Sequence, residues 1–327
     1  MVLFALVFIS GCEGKKAGRN TDIIRIGSTA PGHLKFVLFE QLGILEKEFG
    51  ADGIKVEFFP FTGGGSEAVT TLATGGVDIV YTGVDPALRV AATGADVYLI
   101  GVSSFDVQNS LQSIAVAADS PIQSVADLKG KKVAYLTGTM RHNQLTRALK
   151  ENGLTLNDIE SLNLNFEASG PALLRGDIDA LVETTSTLIT LEQSGAIRLI
   201  LDGRKKEHPE WVVPNVISAN GKFVRENPEL TARLLKADLE LAAWVDTHFE
   251  ETVKAFAQGT GQDVNAIRKL YTDGEFFQDT RITPQMIQSF KDEEQFLLDA
   301  GLSNGKVNFE AWVQTKYVEE AAQQLKK

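Results

Sequence analysis

The chain has 327 residues, of which 43% are hydrophobic, and carries 32 Lys and Arg against 43 Asp and Glu, with one cysteine. A net charge of −11 argues against nucleic acid as a partner, because binding phosphate backbones calls for a surplus of Lys and Arg on one face. A lone cysteine excludes an internal disulfide, so stability must come from packing, in one large or two medium domains.

Residues 1–9 form an apolar run that leads into Ser10-Gly11-Cys12, and a polar stretch follows to residue 21. This reads as a secretory signal with its processing point. At about ten residues the run is too short for a bilayer span, which needs about twenty. The segment Phe8-Ile9-Ser10-Gly11-Cys12 resembles a bacterial lipobox, although no Lys or Arg precedes the run. The resemblance implies a signal peptide at 1–11, lipid on the thiol of Cys12 and a tether over 12–22. The protein would then sit on the extracytoplasmic face of the cell membrane, in the periplasm of a diderm host. The alternative for Cys12 is a buried structural cysteine. No later apolar stretch reaches spanning length, so the body is expected to be soluble and the anchor to be lipid.

Beyond the tether, short apolar strands alternate with amphipathic helices. Residues 23–27 predict a strand and 33–49 a helix; 55–59 a strand, then the turn Gly63-Gly64-Gly65-Ser66 opening a helix near Glu67. Strands at 77–81 and 97–102 flank a helix at 85–92. The cluster Phe58, Phe59 and Phe61 is expected in the core. A second unit of the same kind starts at 114–118, with Ser124 and Asp127 capping a short helix, a strand at 132–136 and a helix at 140–151. Such alternation implies mostly parallel sheets covered on both faces. A strand over 211–219 is expected to cross back to the first lobe. The rest is helical: Leu230, Leu234, Leu235, Leu239, Ala242 and Val245 keep helical spacing after Pro228, and helices follow at 264–271, 284–298 and 309–325. The expected division is lobe 1 at 23–112, lobe 2 at 113–210, and a return strand with bracing helices at 211–327.

An internal echo supports two equivalent lobes. Residues 72–80 and 174–182 each show a helix stopped by glycine, an acidic turn and an apolar strand. The strand ends also correspond, Ser28-Thr29-Ala30-Pro31-Gly32-His33 in one unit and Thr137-Gly138-Thr139-Met140-Arg141-His142 in the other. Polar loops at corresponding carboxyl ends of strands suggest a ligand cleft between the lobes.

The stretch 119–134, with Asp127-Leu128-Lys129-Gly130-Lys131, is similar to the second-lobe entry of periplasmic solute-binding proteins of the nitrate, sulfonate and taurine type. Residues 72–78 and the helix from Asn227-Pro228-Glu229-Leu230 to Ala243-Trp244-Val245 resemble the same group, over 23–258 in all. The resemblance implies an α/β, two-lobed periplasmic-binding-protein fold (type II). Each lobe would be a mostly parallel sheet flanked by helices, with two crossing strands and a C-terminal helical extension. It implies a monomer that binds a small-molecule solute and delivers it to the membrane permease of an ATP-binding-cassette (ABC) importer. Thiamine-precursor synthases share this fold, so an enzyme acting on a small heteroaromatic substrate is one alternative reading, and a ligand-presenting sensor subunit is another.

Candidate binding residues lie at the strand ends. At Gly138-Thr139 a helix start offers amides and a dipole suited to an anion, with Thr137 beside it, and the resemblance places a ligand contact there. The alternative is an N-cap without ligand. Arg141 would supply counter-charge or lie in solvent. Gly65 and Ser66 form a comparable nest, without the Lys-Ser/Thr ending of a nucleotide loop. Tyr81, Thr82 and Asp85 follow the third strand, where the family's loop touches ligand; Asp85 before Pro86 is equally an N-cap. Thr29 and His33 line the first loop, His33 and His142 as polar rim residues rather than metal ligands.

Glu183 and Thr184, in Glu183-Thr184-Thr185-Ser186, replace the aromatic-Asp-Pro segment of sulfonate-type members. With Asp85, a carboxylate there would favour a small ligand that carries an acidic group and a separate amine, amide or heteroaromatic nitrogen over nitrate or a plain alkyl sulfonate, unless both carboxylates point away. No zinc-type His spacing and no Gly-x-Ser-x-Gly elbow is present, so no catalytic residue, metal or cofactor is expected.

Overall fold

In the computed structural model, residues 21–29, 34–104, 112–205, 211, 214–271, 276 and 280–326 are described. Cys12 and His33 lie outside them. Apolar strand runs pair into two five-stranded sheets. The first holds β1 (Ile23–Ser28), β2 (Lys55–Pro60), β3 (Ile79–Thr82), β4 (Val97–Ser104) and β10 (Asn215–Asn220), in the order β2-β1-β3-β10-β4. The second holds β5 (Gln112–Ala117), β6 (Lys132–Tyr135), β7 (Glu160–Asn163), β8 (Ala180–Thr184) and β9 (Ile197–Leu201), in the order β7-β6-β8-β5-β9.

The sheets share one pattern. β1 runs parallel to β2 and β3, whereas β10 is antiparallel to both β3 and β4. Likewise β6 runs parallel to β7 and β8, whereas β5 is antiparallel to β8 and β9. The reversed strand in each sheet is the one reached from the other lobe. The echoed strands β3 and β8 are the middle strands of their sheets. Their acidic turns do the same work: Asp78 accepts the amide of Arg25 at 2.8 Å, and Asp179 that of Lys132 at 2.8 Å.

Helices cover both sheets. In the first lobe these are α1 (Leu34–Leu42), α2 (Ile44–Phe49), α3 (Gly65–Ala73) and α4 (Val84–Ala91); in the second, α5 (Met140–Glu151), α6 (Phe166–Arg175) and α7 (Thr185–Gln193). After β10 come α8 (Gly221–Glu226), α9 (Pro228–Thr247), α10 (Phe249–Thr260), α11 (Val264–Leu270), α12 (Pro284–Asp299), α13 (Phe309–Trp312) and α14 (Lys316–Gln324). The expected helix over 33–49 breaks at Gly43, whose φ of 60° is left-handed backbone that glycine adopts without steric cost. The expected helix over 309–325 breaks where Val313 bridges Leu99 and the amide of Gln314 bonds the Leu99 carbonyl.

The apolar stripe of α9 is buried against the first sheet, as its spacing requires. Phe290 and Leu297 of α12, with Trp312, pack on α4, β4 and β10, so the C-terminal helices cover mainly lobe 1. One helix reaches further, α11 against α7 of lobe 2. Phe58 packs on the core beside Phe36, but Phe59 is 37% exposed, because successive residues of an edge strand face opposite ways. Among the described residues no helix is long and apolar enough to cross a membrane.

Lobe 1 also buries charge. Lys35 of α1 and Asp238 of α9 are both 0% exposed and in contact, and Asp238 also accepts the hydroxyls of Tyr81 at 2.8 Å and Thr280 at 2.9 Å. Burial pulls Lys35 below the ordinary lysine range although Asp238 opposes the shift. Replacing one partner of a buried pair strands the other, at about 3–5 kcal/mol. Lys35→Met should therefore lose about that much stability in urea unfolding, and adding Asp238→Asn, which removes the stranded charge but keeps an acceptor for the Tyr81 and Thr280 hydroxyls, should recover part of it. An equal loss in the single and double variants would contradict this account.

Candidate functional site

The carboxyl ends of β1, β3, β6 and β8 lie where the lobes meet, because a strand that arrives from the other lobe starts at that edge and runs back. The helices following β3, β6 and β8, together with α3, therefore begin at the seam. Their amides and positive dipole ends converge there. Contacts across it are close. Ser66 Oγ donates to the Gly138 carbonyl at 3.2 Å, Gly64 packs on Leu136 and Thr139, and Gly83 packs on Met140. The guanidinium of Arg89, on α4, lies 2.6 Å from where a Gly138 Cβ would stand. Gly138 has φ +75°, so both its backbone and its neighbour require glycine.

At the start of α5 much of the expected anion nest is occupied by the protein. The Gly138 amide donates to His142 Nδ1 at 3.1 Å, and the Thr137 amide to Asn163 Oδ1 at 3.0 Å. Thr139 is the N-cap: its hydroxyl accepts the Arg141 amide and donates to the Leu136 carbonyl at 2.7 Å. Among the described residues, the amides of Thr139 and Met140 meet no acceptor. His142 is 8% exposed and its ring lies 5.1 Å from that of Tyr135. Burial, followed by the charge of Arg89, lowers its pKa from 6.5 to about 4. It is thus neutral at ordinary pH, with Nδ1 as acceptor.

The expected charges are paired with each other. Arg141 Nε donates to Glu183 Oε1 at 2.6 Å, a second guanidinium nitrogen contacts the same oxygen, and the Thr184 amide donates to it at 2.7 Å. The Thr184 hydroxyl lies 2.6 Å from that of Thr187. Glu183 is 3% exposed, so it neither faces an amine alone nor points to solvent. Asp85 is not an N-cap. Gly83 holds that place, and Asp85 enters the first turn of α4 at 1% exposure, with burial raising its pKa above the ordinary value.

Tyr81 spends its hydroxyl on Asp238 inside lobe 1. The Thr82 hydroxyl is buried without a partner among the described residues, 2.6 Å from where a Gly65 Cβ would stand. Thr29 is half-buried at the end of β1 and Thr137 is exposed. The structure thus brings Gly65, Ser66, Thr82, Gly138 and Thr139 to one seam, pairs Arg141 with Glu183, and draws Tyr81 into the core.

Arg89 was missed by the sequence reading. It is half-buried and, among the described residues, has no hydrogen bond or ion pair. Its signal was the spacing from Asp85, four residues earlier on the same helix face.

The sequence model of the family described as NMT1/THI5 like matches residues 46–252. An aliphatic sulfonates-binding protein of Escherichia coli (strain K12) is 33% identical over 187 residues, 57% of this chain and 57% of that protein. The chain thus spans just over half the length of that relative. One of the same description from Bacillus subtilis (strain 168) is 25% identical, over 99% of this chain and 96% of its own length. In fold, the alkanesulfonate-binding protein of Xanthomonas axonopodis pv. citri, bound to MOPS, superposes with a TM-score of 0.77 at 22% identity, covering 91% of this chain and 99% of that one. A desulfurization enzyme shares the fold with a TM-score of 0.72 at 17% identity, covering 93% and 100%.

A test of the seam's electrostatics follows from His142. An unfolded histidine takes up its proton near pH 6.5, whereas folded His142 does so at about 4. Its contribution to stability is therefore complete above 6.5 and lost as the pH falls towards 4. NMR of the imidazole should show a neutral ring at pH 6 with unprotonated Nδ1, and Arg89→Gln should raise the titration only part of the way, since burial is the larger cause. A native titration near 6.5 would contradict this picture.

Proposed function

The chain belongs to the NMT1/THI5-like family, and from that premise we propose that it is the extracytoplasmic solute-binding component of an ABC importer. It closes its lobes on a small organic anion of sulfonate type and presents the closed form to a membrane permease. The observation that carries this reading is Arg89: a half-buried guanidinium without a partner among the described residues, at a seam where helix starts meet. A cation held there by the fold awaits an anion, and the convergent helix dipoles favour the same sign.

Neither carboxylate expected to face a ligand is open to the cleft. Glu183 pairs with Arg141, and Asp85 is 1% exposed, its carboxyl oxygens without a hydrogen-bond partner among the described residues. The expectation of an amine on the ligand rested on these two carboxylates being open to the cleft, and it loses that support. Sulfonate rather than carboxylate is suggested by what the relatives are named for. A monomer suffices, since one chain supplies both sides of the cleft. Lipid on Cys12 would hold the protein at the membrane.

Calorimetry with propanesulfonate tests the reading. One-to-one binding is expected, with the solute recovered unchanged; Arg89→Gln should weaken it about ten- to a hundredfold, the worth of a charge-assisted contact, with little change in unfolding stability. Preference for an alkylamine, or unaltered affinity in the variant, would overturn the anion assignment, and turnover of the sulfonate would place the chain with the enzymes of this fold.

The anchor has its own test. Cys12→Ser expressed from the full-length gene should move the protein from the membrane to the soluble extracytoplasmic fraction with its fold intact. Unchanged membrane retention would refute lipid attachment at that thiol.

A further inference from the structure

A second cluster, apart from the strand-end loops, joins three helices across the seam. Glu293 of α12 is 3% exposed. Its Oε1 accepts the side-chain amide of Asn143 and its Oε2 accepts Arg147 at 2.9 Å, both from α5 of lobe 2. Arg147 also donates to Asn143 Oδ1 at 2.9 Å, and its guanidinium stands 3.7 Å from the centroid of the Phe296 ring on α12. From α4 of lobe 1, Asp85 lies buried beside Asn143 and Glu293, close enough to Glu293 to act on its charge, though neither of its carboxyl oxygens has a well-formed hydrogen bond among the described residues.

The charges do not balance unless a proton is held. Two buried carboxylates face one bonded guanidinium, so the cluster is neutral only when the pair keeps one proton. The other charged groups nearby leave this count unchanged. Arg89 on α4 acts on Asp85 from a distance, and His142 on α5 is neutral. On α12, Glu294 takes the Val307 amide, Asp292 accepts Gln288, and Lys291 stands over Phe309.

We infer that Glu293 is a positioning residue for solute binding: it clasps α5 of lobe 2 to lobe 1 while it and buried Asp85 keep one proton between them, and so favours the closed form. The inference rests on the reading that closure accompanies binding. Burial is the first cause raising both carboxyl groups, and for Glu293 it outweighs the opposing effect of Arg147. Opening the seam would admit water and let the proton go. The closed form therefore binds more protons, and solute affinity falls as the pH rises through the raised range.

Two arms test this on the full chain. With propanesulfonate as probe between about pH 5 and 9, wild-type affinity should fall as pH rises, and binding should take up protons from the buffer. Glu293→Gln, which keeps acceptor and donor without a titrating group, should stay within about threefold of wild type at low pH and show a flat profile; Glu293→Ala should lose about tenfold. The second arm needs no solute. Small-angle scattering of the free protein should show the wild type expanding as pH rises and Glu293→Gln unchanged. If propanesulfonate fails to bind while scattering still separates the two proteins, the solute assignment falls and the clasp stands. The same pH response in wild type and Glu293→Gln in the scattering arm overturns the clasp.

Discussion

The constraint on which the rest of the structure depends is that the chain passes twice between its two sheets. Each passage delivers a strand that starts at the edge facing the other lobe, and that strand must run against its neighbours. β5 and β10 are those strands. Because they are reversed, the other strands of each sheet end at the shared edge, and the helices after β3, β6 and β8 begin there. A pair of connections thereby fixes where unsatisfied amides and positive helix ends gather, before any ligand-binding side chain is specified.

Electrostatics then decides what the seam can accept. Of the charged groups expected to face a ligand, Arg141 and Glu183 neutralise each other within lobe 2, and Asp85 is enclosed with Glu293 and Arg147. Arg89 lacks a partner among the described residues. His142 is held neutral and orients the turn at Gly138 by accepting its amide, so it adds no charge. With the proton that we infer on the Asp85–Glu293 pair, Arg89 leaves the seam positive, in a chain whose overall charge is −11.

Much of the fold was legible because it rests on short-range rules. The strand runs, the stripe of Leu230, Leu234 and Leu235, and the Ser124–Asp127 capping box are patterns within a few residues. The echoed acidic turns were legible as a repeat, though the bonds from Asp78 and Asp179 to a neighbouring strand explain them as structural rather than functional. What stayed hidden depends on partners far apart in sequence. Nothing near Glu183 indicates that Arg141 will reach it, nor does the neighbourhood of Glu293 point to Asn143 and Arg147. Helix continuity failed for a related reason: the break at Val313 comes from a bridge to Leu99, a partner in a different element.

Closure of the lobes on an organic anion is the central claim, and an inter-lobe distance tests it most directly. Labels at Thr70→Cys on α3 and Glu167→Cys on α6, both exposed positions, in a Cys12→Ser background would report it by pulsed electron–electron spectroscopy. The account predicts a broad distribution in the free protein that collapses to one shorter distance at saturating alkanesulfonate, and no such change with an alkylamine. A distribution unaltered by any organic anion that binds would contradict it.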